Sequence, residues 1–203
     1  MNTTNTTPAV EATGKNTKKT SVYTLCATAL MTAILCVLAP ITIPIGPVPI
    51  SLSMLVLVIS IYLLGTKWAM ISCIVYLVIG MIGLPVFSGF SGGFAKLAGP
   101  TGGYLIGYLF LILIGGLFIS FSEKRFEKKK SIPLAFVGLV IGTLVLYAFG
   151  TVWFMILMDA DLAYALTVCV LPFIPFDIVK LILGIILGRT IRARLSRASL
   201  NTH

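Results

Sequence analysis

The stretch that decides the fold is LSMLVLVISIYLL (Leu52 to Leu64), GTK (Gly65 to Lys67) and WAMISCIVYLVIGMIGL (Trp68 to Leu84). It reads either as one very long apolar span or as two short ones joined at the Gly-Thr-Lys turn, since glycine weakens a helix and lysine is costly in hydrocarbon. Apolar runs at Val22 to Ala39, Tyr104 to Phe121 and Ile132 to Met158, and one beginning near Ala163 or Val170 and ending at Gly188, supply four more candidate spans. With two short spans, Lys15, Lys18, Lys19, Lys67, the block Lys124, Arg125, Lys128, Lys129, Lys130 and the tail Arg189, Arg192, Arg194, Arg197 all fall on one side. One merged span would send the block to the other side, against the positive-inside rule. The sequence therefore predicts an all-α integral membrane protein with six transmembrane helices and both termini in the cytoplasm.

Composition agrees. The chain is 58% hydrophobic and 10% charged, with a mean hydropathy of +1.08, whereas a soluble domain is about 25% charged. The net charge of +9 then marks topology and attraction to anionic membrane lipid, and gives no reason to expect nucleic acid. Residues 1–20, rich in Asn, Thr and Lys, read as a disordered cytoplasmic tail, residues 21–190 as the six-helix membrane domain, and residues 191–203 as a basic cytoplasmic tail. The run after the first lysines resembles a signal peptide, but its length and the following Pro-Ile-Thr-Ile-Pro favour a retained helix. Cys26, Cys36, Cys73 and Cys169 all lie in apolar runs without metal-ligand spacing and read as packing residues. The single histidine is His203, so no metal site and no Ser-His or Cys-His nucleophile is expected, and the chain is not read as an enzyme. No phosphate-binding Gly-x-x-x-x-Gly-Lys motif occurs, so active transport would draw its energy from elsewhere.

Two outer segments break the apolar pattern. Pro40 to Pro49 holds four prolines and cannot be helical. Leu84 to Tyr104 holds six glycines and two prolines, with Phe87, Phe90, Phe94 and Tyr104 at intervals. Glycines admit close backbone approach and aromatic rings supply flat walls, which suits a small, partly planar ligand. The same composition would also serve tight turns and interfacial anchoring.

Asp177 and Lys180, three apart in PFIPFDIVK, share one face in the first turns of the last helix. Each charge costs about 2.5 to 3.5 kcal/mol in hydrocarbon, a penalty met by a partner or by a function. They form either a self-neutralising pair or an acceptor and a donor offered to a buried ligand. Ala29 with Ala33, and the glycine pairs Gly103 with Gly107, Gly138 with Gly142 and Gly184 with Gly188, have the small-xxx-small spacing that lets helices approach closely.

GPVPISL (Gly46 to Leu52), YLVIGMIGLPVFSGFSGG (Tyr76 to Gly93) and GPTGGYLIGY (Gly99 to Tyr108), with Asp177 and Lys180, resemble the BioY family, the biotin-specific substrate-capture subunits of energy-coupling factor (ECF) transporters. The likeness runs from about Thr24 to Gly188 and departs at Ser51 and Ser53, where threonines or a Gln-Thr pair are expected. It implies a multi-pass protein of the bacterial plasma membrane with an ECF S-component-like bundle and no cofactor. Biotin is the cargo, and ATP enters only through partner subunits. It also implies docking of the Ala29 and Ala33 face onto an EcfT-like transmembrane coupling subunit driven by two cytoplasmic ATPase subunits. In that reading Asp177 accepts the ureido N–H groups and Lys180 donates to the ureido oxygen or the carboxylate. Tyr76, Phe87 and Phe90 wall the ring, and Gly89, Gly92 and Gly93 allow close approach. Two alternatives are a stand-alone carrier using Asp177 as a proton relay and an intramembrane lipid enzyme.

Overall fold

The computed structural model describes residues 22–44, 48–125 and 131–200. The first twenty residues, assigned to the disordered tail, lie outside that range, as do Lys128 to Lys130 and residues 201–203. Helix α1 spans Val22–Leu38 and buries Thr28, Met31, Thr32 and Leu35. Those positions follow the i, i+3, i+4, i+7 stripe of one helix face. The opposite face, with Ala29 and Ala33, is exposed. Cys26 is exposed there too, so it does not pack, whereas Cys73 and Cys169 are buried and Cys36 is partly covered.

The proline-rich segment after α1 forms a small antiparallel pair, β1 (Thr42–Ile43) with β2 (Ile50–Ser51). Helix α2 is continuous in name over Ser53–Met81, yet Gly65 sits at φ 78 and ψ 168 inside it. That left-handed backbone suits glycine. A straight helix would hold Ser53 and Tyr76 roughly 35 Å apart at 1.5 Å per residue, but both line one cavity. The chain therefore doubles back at Gly65, where the sequence predicts the Gly-Thr-Lys turn. The first half packs Val58 and Tyr62 against Gly184 and Gly188 of the last helix, while in the second half Ser72 hydrogen-bonds Thr32 of α1 at 2.9 Å.

The glycine loop carries a bridge between Phe87 and Ser91 and the short helix α3 (Phe94–Ala98), then enters α4 (Gly102–Arg125). Helix α5 (Ser131–Met158) lies antiparallel to α4. Close approach is possible because the seam is glycine-lined. A methyl group at Gly103 would strike Trp153, one at Gly138 would strike Phe118, and one at Gly150 would strike the ring of Tyr104. In lipid, where tails are as apolar as leucine, such backbone proximity is a main source of helix association. The three glycine pairs of the sequence all lie at such helix contacts.

The last apolar stretch is broken. Helix α6 (Leu162–Cys169) and helix α7 (Phe173–Leu200) meet at 44°, while α4 and α5 are each long and apolar enough to cross a membrane as single helices, as α2 is by length and composition alone. Helix α7 runs past Gly188, so residues 191–200 of the predicted tail continue it. Its basic end is tied down, since Arg192 grips both carboxylate oxygens of Glu123 at 2.8 Å and Arg189 donates to Ser131 at 3.1 Å. These contacts gather the C-terminal end of α4, the N-terminal end of α5 and the basic segment of α7 at one end of the bundle.

Candidate functional site

At the opposite end of the bundle lies a small cavity open to solvent. Val48, Pro49, Ser51 and Ser53 close it from the first loop, Tyr76 from the second half of α2 and Ser88 from the glycine loop. Thr101, just before α4, and Tyr104, Leu105 and Tyr108 of α4 complete it. They converge because Thr101, at the entry to α4 where its carbonyl accepts from the Leu105 amide, stands in the i, i+3, i+4, i+7 register of one helix face. Trp153 Nε1 donates to the carbonyl of Gly99 at 3.0 Å, and the hydroxyls of Tyr104 and Thr151 lie 3.1 Å apart. Both contacts hold the start of α4 in place.

The lining carries hydroxyls and no ionised side chain. Ser51 Oγ donates to Ser53 Oγ at 2.9 Å and lies 3.4 Å from the hydroxyl of Tyr108. Among the described residues, Tyr76 Oη and Thr101 Oγ1 are buried with no hydrogen-bond partner. An unmet buried polar group costs about 1 to 3 kcal/mol, so these two oxygens are poised for a guest that hydrogen-bonds.

Beside the cavity lies the predicted ion pair. Asp177 and Lys180 are 7% and 8% exposed, and Lys180 Nζ donates to Asp177 Oδ1 at 2.8 Å. Tyr147 of α5, absent from the sequence-based site, donates its hydroxyl to Asp177 Oδ2 at 2.6 Å. The pair does not itself line the cavity. The carboxylate acts electrostatically on Tyr108, which does.

The other sequence-predicted residues divide. Tyr76 lines the cavity, and Phe87, fully buried, stands behind it rather than in the lining. Phe90 is not brought in, since its backbone at φ 56 turns the ring outward and leaves it 70% exposed. Gly89, Gly92 and Gly93 shape the loop instead of touching the cavity. The Gly89 amide donates to the carbonyl of Pro40 at 3.2 Å and the Gly93 amide to that of Gly80 at 2.7 Å. Gly92 packs on the backbone of Leu84.

Tyr104, named from the sequence among the flat walls of the glycine loop, does line the cavity, whereas Thr101 and Tyr108 as lining residues, and Tyr147, were missed. A usable signal existed. Thr143, Tyr147 and Thr151 recur every four residues in an otherwise apolar helix, and a polar stripe in a membrane helix faces protein or cavity rather than lipid.

Known proteins share this architecture. The chain is 36% identical over 182 residues to the biotin transporter BioY2 of Lactococcus lactis, covering 90% of this chain and 97% of that protein. It is also 36% identical to the biotin transporter BioY of Thermotoga maritima, over 78% of this chain and 89% of the relative. Its structure resembles the crystal structure, at 2.1 Å, of the S-component for biotin from an ECF-type ABC transporter. The TM-score is 0.73 and the identity 32%, with 84% of this chain and 92% of the other covered. The BioY family model matches residues 12–197, nearly the whole chain, and the protein belongs to the BioY family.

Proposed function

We propose that this chain is the biotin-capturing membrane subunit of an ECF-type importer. It is a transport component and not an enzyme; biotin is its cargo, and no cofactor takes part. The observation that carries the reading is the hydroxyl-walled cavity, with two unpartnered oxygens, set against a buried Asp177 and Lys180 pair. Biotin offers a flat double ring, two ureido N–H donors, a ureido oxygen and an aliphatic acid, which matches an aromatic wall, a carboxylate, an ammonium and neutral hydroxyls. In this proposal Asp177 accepts a ureido N–H group and Lys180 donates to a ligand oxygen. Tyr76 walls the ring, with Phe87 supporting it and the loop glycines Gly89, Gly92 and Gly93 fixing the rim.

The membrane arrangement proposed with it has six membrane helices, counting the two halves of α2 separately, and both termini in the cytoplasm of a bacterial cell. It is supported by the doubling back at Gly65 and by the basic residues gathered at the end away from the cavity. The domain limits follow, with a tail over residues 1–20, the membrane domain over residues 21–190 and a basic extension over residues 191–203. Delivery of biotin is assigned to association of the α1 outer face with a transmembrane coupling subunit and two ATPase subunits.

Calorimetry on the purified protein with biotin, desthiobiotin and lipoate tests the ligand. Biotin and desthiobiotin, which share the ureido ring, are expected to bind, and lipoate is not. Absence of biotin binding would overturn the assignment. Biotin flux in proteoliposomes without ATPase subunits would favour the stand-alone carrier.

A further inference from the structure

Asp177 is reached from two helices. Lys180, on its own helix, takes Oδ1, and Tyr147, on α5, takes Oδ2. All three side chains are buried, with Tyr147 7% exposed. A partner three residues along the same helix neutralises a carboxylate but leaves its plane free to swing with the side chain. A donor anchored on another helix removes that freedom, since the hydroxyl position is set by the packing of α5 and not by the rotamer of the acid. Hydrogen bonds to an ionised acceptor are also the stronger kind.

We propose that Tyr147 is the positioning residue of the ligand site, holding the Asp177 carboxylate so that a remaining acceptor position stays available to one N–H group of the ligand. An ionised carboxylate has about four lone-pair positions. Lys180 and Tyr147 occupy one on each oxygen, which leaves one on each oxygen free; the two N–H bonds of a five-membered cyclic urea diverge, so one of them meets Asp177 and the other turns to a different acceptor. Tyr147 touches no ligand in this scheme. It acts through Asp177, whose carboxylate acts electrostatically on Tyr108 of the cavity wall. The inference rests on the biotin reading above and adds a residue that the reading does not contain.

The test is a double-mutant cycle read by calorimetry. Tyr147→Phe keeps the ring and removes only the hydroxyl. It is expected to weaken biotin about ten- to a hundredfold, the range for a lost bond to a charged group. In the Asp177→Ala background the same substitution is expected to add less than about twofold, because the acceptor it served is gone. Equal affinity of Tyr147→Phe and wild type, or losses that multiply independently in the double mutant, would overturn the positioning role. Failure of the wild type to bind biotin in the same series would instead overturn the underlying reading. If Tyr147→Phe does not fold, 3-fluorotyrosine at position 147 decides. It keeps the ring and makes the hydroxyl a stronger donor, so biotin affinity should shift from wild type if the bond acts on the carboxylate. An unchanged affinity would overturn the proposal.

Discussion

Tyr76 stands edge-on to Phe87, with ring centroids 5.5 Å apart and 80° between the planes. Phe87 in turn lies over Gly80, where a methyl group would occupy the space of its ring. An edge-to-face pair is worth about 0.5 to 1.5 kcal/mol beyond burial. Here it also has a directional consequence, because it fixes the tyrosine ring within the cavity wall. The loop residue thus shapes the site from behind, through a residue of another segment.

Tyr76→Phe separates stability from binding. The hydroxyl has no hydrogen-bond partner among the described residues, so its removal should leave the unliganded protein as stable as before or up to about 1 kcal/mol more stable, since a buried unpaired oxygen is lost. Biotin affinity should fall about three- to tenfold. Thermal melting in detergent and calorimetry on the same sample check both arms. A destabilised protein with full affinity would contradict the role.

The buried ion pair should respond asymmetrically. Asp177→Asn and Lys180→Ala are each expected to weaken biotin more than tenfold, through loss of a charge-assisted bond. Lys180→Ala should also destabilise the protein by about 3 to 5 kcal/mol, because it strands a carboxylate in a buried position. Asn, being neutral, should do less harm to folding. Calorimetry and denaturation of the two variants give the comparison, and wild-type affinity in both would dissociate the pair from the ligand.

Gly150→Val should damage fold and site together. The new side chain would enter the space of the Tyr104 ring, which lines the cavity and meets Thr151. Overpacking of this kind costs about 1 to 3 kcal/mol. A lowered melting temperature with a measurable loss of biotin affinity is expected. A variant that melts like wild type would show that the α4 and α5 seam has room to spare.

Ala29→Trp addresses the outer face of α1. Ala29 and Ala33 are exposed and take no part in the bundle, so bulk there should leave biotin binding and stability intact. Uptake by cells carrying the ATPase module should be abolished, because the small-residue face can no longer approach a partner helix. Retained uptake would place the docking face elsewhere.

The sequence by itself determined what depends on short spacing and on water-to-lipid transfer. The apolar runs, the two loops, the turn at Gly65 and the sharing of one helix face by Asp177 and Lys180 all follow from local periodicity and from charges that hydrocarbon excludes. The glycine pairs were legible as helix contacts, although not which helix each would meet. Only the tertiary structure decided that Asp177 receives Tyr147, that Ser53 and Tyr76 share a cavity with Thr101 and Tyr108, and that Phe90 turns outward while Phe87 turns in. Those outcomes depend on how far each helix is rotated and slid against its neighbour. Rotation and slide are settled by the sum of many side-chain contacts along the glycine seams, and no window of neighbouring residues contains that sum.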